Sequence, residues 1–175
     1  SINTLDLEIY SIPYYKKMCP KKFPSIPHRL DFWVLFYITE GESKFSIDYI
    51  DYNCKKGDLI VISKNKVFNM VDNTNLNGYI FFANEDFFVK NSNTHDLDLL
   101  KFFETPLNDP VLSIDISEKT TSRRLIELLH KEFLNSKDSS KLLKSIFASF
   151  VYAIRKENER VISKATVATY KNYYE

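Results

Sequence analysis

The strongest constraint on this chain is a series of short β-forming runs in its first half, separated by polar turns. Residues 32–39 are a continuous run of aromatic and β-branched residues, which indicates a strand covered on both faces. Residues 43–50 alternate polar and apolar side chains, the period of a half-buried strand. Gly41 lies between the two runs and can adopt the positive φ of a hairpin turn.

The rest of the first half continues this pattern, and the second half changes it. Residues 5 to about 85 are predicted to be strands and turns, and many short strands at this spacing predict a sandwich or barrel. One last strand is predicted at residues 111–116. Helices are predicted at about 118–135 and about 140–157, because each carries a broad apolar stripe at helical spacing.

Composition and charge narrow the class of protein. The 24 Lys and Arg against 23 Asp and Glu give a net charge of +1, which does not suit a domain that grips DNA through many phosphates. Neither a signal peptide nor an apolar run of the roughly 18–20 residues that span a bilayer is visible, so we expect a cytoplasmic protein. Cys19 and Cys54 fit no metal or redox spacing and are expected to be unpaired thiols.

Five motifs in the first half support a resemblance to a known family. In order, they are Pro-His-Arg-Leu-Asp-Phe, Ile-Thr-Glu-Gly-Glu, Lys-Gly-Asp-Leu-Ile-Val-Ile, the turn that follows it, and Gly-Tyr-Ile-Phe-Phe with the helix start after it. Their order and spacing resemble the barrel of AraC-type (AraC/XylS) transcription regulators, especially a subgroup common in Bacteroidetes. The resemblance covers about residues 5–160.

The resemblance implies a fold that is mainly β with C-terminal helices. The expected architecture is a cupin-like barrel, that is, a double-stranded β-helix or jelly roll, followed by an antiparallel helix pair. Residues 1–116 would form the effector-binding barrel, with a short helical insertion at about 85–105. Residues 117–160 would be the helical dimerisation region. Residues 161–175 would be a linker and the start of a missing C-terminal helix-turn-helix domain.

The function implied is that of the N-terminal sensory and dimerisation domain of a DNA-binding transcription regulator. A small effector would bind in the barrel and control transcription, the chain would form a homodimer, and DNA would be contacted only through the missing domain. The alternative is a stand-alone, non-catalytic, cupin-like protein that binds a small molecule.

The histidine pattern bears on whether the barrel is an enzyme. Catalytic cupins hold a metal with two histidines, a carboxylate and a later histidine, but Leu30 and Phe68 stand where the second and the later histidine would be. His28 is left, and one histidine cannot hold a catalytic metal. We therefore expect no metal, no cofactor and no enzymatic activity. His28 is predicted either to bond to the backbone at a strand edge or to contact a ligand.

Strand parity and the family analogy together predict the binding residues. The predicted set faces the barrel interior and is mostly aromatic: His28, Phe32, Phe36, Phe68, Met70, Asn77, Tyr79 and Phe81. Such a lining suits a small apolar or aromatic effector, unless the barrel is filled by its own Phe side chains. The extra apolar residues of the second helix predict a dimer interface, unless one chain buries them all: Leu143, Ile146, Phe147 and Phe150.

Overall fold

The computed structural model describes residues 6–19, 26–71, 75–89, 99, 101–103, 109–117, 119–135 and 140–174. The strands are β1 Leu7–Ser11, β2 His28–Arg29, β3 Trp33–Glu40, β4 Glu42–Ile47, β5 Ile50–Lys55, β6 Asp58–Ile62, β7 Val67–Met70, β8 Asn77–Ala83 and β9 Val111–Ser113. The helices are α1 Ile12–Met18, α2 Glu85–Val89, α3 Thr121–Asn135 and α4 Ser140–Tyr174, and residues 101–103 are also helical. The prediction of a mainly β chain with C-terminal helices is confirmed.

The strands form two antiparallel sheets. One has five strands in the order β1-β8-β3-β6-β9, and the other has four in the order β2-β7-β4-β5. β3 is the middle strand of the five-stranded sheet, and every residue in it except Glu40 is buried. The predicted strand with both faces covered is therefore confirmed, because one face of β3 meets the four-stranded sheet and the other meets helices.

The β4–β5 hairpin corrects the strand predicted at residues 43–50. The chain turns at Asp48 and Tyr49, which have φ values of 49° and 67°. Two positive φ values in succession are what a two-residue hairpin turn needs, and this turn achieves them without glycine. Asp48 holds the turn, since its Oδ1 accepts a hydrogen bond from the Val67 amide at 2.9 Å and its Oδ2 lies 2.7 Å from Lys66 Nζ.

Gly41 and Gly78 occupy positions that a side chain would obstruct. Both have positive φ, 81° and 135° respectively. A Cβ on Gly78 would lie 1.9 Å from the backbone oxygen of Tyr37, and one on Gly41 would lie 2.4 Å from that of Asn75. Gly41 has the positive φ predicted for it, but the hairpin predicted around it is wrong, because β3 and β4 lie in different sheets and do not pair. Gly78 is needed for the close approach of β8 to β3.

The helices cover the outer face of the five-stranded sheet. Phe81 on β8 stacks on Phe147 of α4 with ring centroids 4.2 Å apart and planes 9° apart. The residues of this outer core alternate along β1, β3 and β8 with those that face the four-stranded sheet. The sheet and the helices thus share one apolar core, which contributes to stability roughly in proportion to the apolar area it removes from water.

Two helices differ from the sequence prediction. α1 lies in a stretch predicted to be strands and turns, and Ser11 caps it by accepting a hydrogen bond from the Tyr14 amide at 3.3 Å. α4 runs 35 residues, past both the predicted end near 157 and the linker expected at 161–175. Its polar stretch from Arg155 to Ser163 is rich in Lys, Glu and Arg and contains no Gly or Pro, so nothing there ends a helix. In the described part of the chain, no helix has the length and apolarity to cross a membrane.

Candidate functional site

The candidate site is the apolar core between the two sheets, which we call the inter-sheet core. Val34, Phe36 and Ile38 on β3 point into it, because alternate residues of a strand face the same side. Phe45 and Met70, paired across β4 and β7, come from the opposite sheet. Its other buried members are Ile12, Leu30, Ile47, Cys54, Ile60, Ile62, Phe68, Leu76 and Ile80.

Three phenyl rings meet in the inter-sheet core. The ring centroid of Phe36 lies 5.0 Å from that of Phe45 and 5.7 Å from that of Phe68, and Phe45 and Phe68 are 5.8 Å apart. All three side chains are buried. This part of the interior is filled by its own Phe side chains, which was one of the two alternatives expected from the sequence. A ligand placed among these rings would have to displace them.

A second aromatic group lies at the edge of the inter-sheet core beside α1. Tyr10, Tyr15, Phe32 and Phe82 are only partly buried there. Their rings are in contact, with centroids 5.7 Å apart for Tyr10 and Tyr15, 5.0 Å for Tyr15 and Phe82, and 5.6 Å for Phe32 and Phe82. We call these four residues the aromatic edge. It joins the filled interior to solvent-accessible surface.

The aromatic edge also carries polar groups. Burial raises the pKa of the Tyr15 phenol to about 12, and burial together with Glu8 raises that of Tyr10 further. Both phenols are therefore protonated at neutral pH, and the side chain of Tyr10 is hydrogen-bonded to that of Glu8. Of these four residues, only Phe32 is predicted from the sequence to contact a ligand. Phe82 lies on the face of β8 that its apolar alternation does not identify as inward, and no sequence signal points to Tyr10 or Tyr15.

The structure brings four of the predicted binding residues to the inter-sheet core and leaves two polar ones outside. Phe36, Phe68 and Met70 lie inside, and Phe32 lies at the aromatic edge. His28 is exposed on β2, and its Nδ1 lies 2.6 Å from the backbone oxygen of Ile26, in agreement with the alternative of a backbone-bonded histidine.

Asn77, also expected to point inward, is half-buried at the start of β8. Its side-chain oxygen accepts a hydrogen bond from the amide of Gly78 at 2.8 Å. The side chain therefore supports the turn into β8.

The inward orientation predicted for Tyr79 and Phe81 is wrong. Residues paired across antiparallel strands point to the same side of a sheet, and Phe81 pairs with Leu35 while Ile80 pairs with Phe36. Phe81 therefore faces the helices together with Leu35. Tyr79 is half-buried on the same side, where its ring meets the His130 ring of α3 at 5.3 Å.

The described part of the chain has no group of three or more His, Cys, Asp or Glu side chains arranged to hold a metal ion. Cys19 and Cys54 are both free, as expected, and burial raises the pKa of the Cys54 thiol to about 12. That thiol is protonated at neutral pH and is a poor nucleophile or metal ligand. His95 lies outside the described residues. The expectation that the chain needs no metal or cofactor stays a prediction.

The residues predicted to form a dimer interface are buried within one chain. Leu143, Ile146, Phe147 and Phe150 all belong to the outer core, and none of them is more than 8% exposed. The five-stranded sheet covers the apolar stripe of α4 that was predicted to contact a second copy. These four positions are therefore corrected to intrachain packing, which was the alternative left open.

Comparison with known proteins gives one family match and several distant structural likenesses. No curated protein matches the chain. ToxT from Vibrio cholerae O395 is 14% identical, with a TM-score of 0.43, over 87% of this chain and 55% of its own. ToxT has also been solved bound to (E)-4-(8-methylnaphthalen-1-yl)but-3-enoic acid, with 15% identity and a TM-score of 0.42 over 89% of this chain and 55% of ToxT.

A third likeness is to ethanolamine utilization protein Q from Salmonella typhimurium LT2. It is 21% identical, with a TM-score of 0.29, over 33% of this chain and 46% of its own. This chain thus spans about half the length of both proteins, and at these scores the structural likenesses carry no argument. The sequence match is more informative: residues 20–78, which include β2 to β7 and the first residues of β8, match the AraC-like ligand binding domain.

Proposed function

We propose that this chain is the sensory and dimerisation domain of an AraC-type, DNA-binding transcription regulator, built as a cupin-like barrel with an antiparallel helix pair. The match of residues 20–78 to the AraC-like ligand binding domain carries the proposal. The matched segment supplies the whole four-stranded sheet and two strands of the five-stranded sheet, so it surrounds the inter-sheet core. The domain is non-catalytic and acts in the cytoplasm of a bacterium.

The proposed effector is a small apolar or aromatic molecule. The inter-sheet core supports this class because its buried members are apolar and its centre is aromatic. We propose the aromatic edge as the entry route, since its rings are only partly buried and border the inter-sheet core. Met70 and Phe68 would have to shift to admit a ligand further, and the flexible thioether of Met70 makes such a shift inexpensive.

A ligand screen by thermal shift tests the effector proposal. We would use indole, naphthoic acids and medium-chain alkanoic acids, because a ligand that binds only the folded chain raises Tm by mass action. Phe36→Leu changes the inter-sheet core, and Phe81→Leu is its matched control: both rings are fully buried, but Phe81 faces the helices.

We expect Phe36→Leu to change the affinity for a hit and Phe81→Leu to leave it unchanged. Loss of binding in Phe81→Leu alone would place the ligand among the helices and contradict the proposed site. We would also screen small molecules extracted from the source cell. If neither the panel nor the extract contains a compound that raises Tm, the proposed sensory role is contradicted.

The proposed homodimer uses apolar side chains that remain exposed on the helices. Leu128 and Leu134 on α3 and Leu142 on α4 are 41%, 60% and 48% exposed, which a second copy could cover. A dimer is also what two half-sites on DNA require. Sedimentation at about 100 μM tests this, since a modest specific interface has an affinity near micromolar. We expect a dimer for the native chain and a folded monomer for Leu142→Glu, whereas a monomeric native chain would refute the assignment.

The proposed DNA-binding role requires a C-terminal domain after Glu175. If the reading frame continues past Glu175 into a basic region with two helix-turn-helix motifs, the regulator is supported. If it does not, the chain is a stand-alone small-molecule-binding protein, and the transcriptional part of the proposal fails.

A further inference from the structure

α4 leaves the body of the domain just after Asn158. Before this point its inner side chains are buried, as Val151 and Ile154 show. From 159 to 165 the side chains are exposed, except for half-buried Val161. Glu157 and Asn158 stand at the exit, and both contact other elements through hydrogen bonds that join separate parts of the fold.

The first set of contacts joins α4 to β3 through α3. Oε1 of Glu157 accepts a hydrogen bond from the Ser122 amide at 3.1 Å, and the Ser122 hydroxyl lies 3.3 Å from the Tyr37 hydroxyl. Glu157 is 7% exposed, and Tyr37 and Ser122 are fully buried. A carboxylate at the first turn of a helix interacts favourably with the helix dipole. These bonds lie out of water, where leaving one partner unpaired is costly.

Only one of the two carboxylate oxygens of Glu157 is hydrogen-bonded among the described residues. Its second oxygen, Oε2, is buried and has no hydrogen-bond partner in the described part of the chain. A buried acceptor without a partner costs free energy that the rest of the structure must offset. The contact between Glu157 and Ser122 is therefore less stable than it would be if both carboxylate oxygens were hydrogen-bonded.

The second set of contacts joins α4 to the β5–β6 turn through β9. The Asn158 side-chain amide donates to the backbone oxygen of Ser113 at 3.0 Å, and the Ser113 hydroxyl donates to Oδ1 of Asp58 at 3.2 Å. Asp58 is 6% exposed, and its Oδ2 accepts a hydrogen bond from the Lys55 amide at 2.9 Å.

Both sets of contacts begin at one end of the five-stranded sheet, next to the inter-sheet core. Tyr37 pairs with Leu59, the neighbour of Asp58, across β3 and β6. Tyr37 also lies between Phe36 and Ile38, whose side chains point into the inter-sheet core. Any displacement of β3 that accommodates a change in that core therefore moves the Tyr37 hydroxyl on the opposite face.

We propose that these contacts form a conformational device, the exit clamp, which couples the five-stranded sheet to the emerging part of α4. Its members are Tyr37, Ser122, Glu157, Asp58, Ser113 and Asn158. With the clamp closed, α4 continues from the domain in one direction. With the clamp open, the helix after Asn158 frays or tilts. Its regulatory role rests on the proposed function, but the coupling itself exists in the ligand-free chain and can be measured there.

Amide hydrogen exchange of the full, ligand-free chain tests the clamp. Tyr37→Phe removes one hydroxyl and keeps the ring, and Tyr152→Phe on the exposed side of α4 is its matched control. Glu157→Met removes the buried acceptor, and Glu159→Met, two residues further along the same helix, is its control. We expect amides of residues 155–165 to exchange about tenfold faster in both clamp variants, since each lost buried bond favours local opening.

Coupling must also act in the other direction, because linkage is reciprocal. Glu157→Met should speed exchange at the β3 amides near Tyr37, far along the chain from the substitution. Should Glu157→Met prevent folding, Tyr37→Phe decides the matter alone. Unchanged exchange at residues 155–165 in Tyr37→Phe, or equal acceleration in the controls, overturns the clamp. Failure to find an effector by thermal shift leaves this result unaffected, so the two proposals fail separately.

Discussion

Substitution of Phe147 tests the packing of the helices on the sheet. The Phe147 side chain is fully buried and stacks on Phe81 at 4.2 Å, with Phe87, Phe103 and Phe150 as its other ring neighbours, at 5.6–6.2 Å. Truncating a buried Phe to Ala costs about 3–5 kcal/mol, because the transfer free energy is lost and a cavity is left. A stacked aromatic pair contributes about 0.5–1.5 kcal/mol beyond its buried area. We therefore expect Phe147→Ala to lower the free energy of unfolding by about 4 kcal/mol.

Urea denaturation followed by circular dichroism measures this loss, with Tyr152→Ala as the control. Tyr152 lies on the same helix but is 44% exposed and is not part of the proposed dimer contact, so its truncation should cost less than about 1 kcal/mol. The cost of Phe147→Ala should not depend on protein concentration, because the contact lies within one chain. A loss below about 1 kcal/mol, or one that grows on dilution, would refute the intrachain assignment and restore Phe147 to a dimer interface.

Three further substitutions probe the sheets and their turns. Burial raises the pKa of Tyr37 to about 12, so its contribution to stability is present below pH 10 and is lost as pH rises towards 12; Tyr37→Phe should weaken that alkaline dependence in pH-jump unfolding. Gly78→Ala should destabilise far more than Gly57→Ala in thermal melts, since the added Cβ would meet backbone oxygen at 1.9 Å against 3.2 Å; equal losses would contradict the packing of β8 on β3. The hydrogen bond from Lys66 lowers the pKa of the Asp48 carboxyl, so the turn loses support as pH falls through that pKa; an NMR titration should show the pKa rising in Lys66→Met, and an unchanged value would rule out the contact.

The elements predicted best are those whose own apolar pattern indicates which of their faces are buried. The apolar run at 32–39 predicted a strand that is buried on both faces, and β3 is such a strand. The inward positions of Phe36, Phe68 and Met70 were predicted from strand parity together with the family resemblance. The resemblance was needed because β3 is apolar on both faces, so its own sequence does not show which face points inward. The stripe of α3 was predicted in part: Ile126, Leu129 and Phe133 are buried at helical spacing, but Leu128, which the predicted stripe included, is 41% exposed.

The errors arise where the pattern does not identify the partner. β8 has apolar residues on both faces, so its alternation is compatible with either parity, and only pairing of Phe81 with Leu35 decides it. The stripe on α4 is apolar whether a sheet or a second chain covers it. The turn at Asp48 and Tyr49 lacks glycine, and bonds from residues 18 and 19 positions away hold it. Such distant contacts leave no local sequence signal.

The position of Leu7, Ile9, Leu35 and Phe81 on the outer face of the five-stranded sheet has a consequence for how this chain can be divided. Helices from the second half cover these residues, so a fragment ending at residue 116 would present a broad apolar surface to water. Such a fragment should aggregate or recruit chaperones, even with every strand intact. In evolution, exchange of the helices as an independent module would require simultaneous substitutions at the outward-facing residues of β1, β3 and β8.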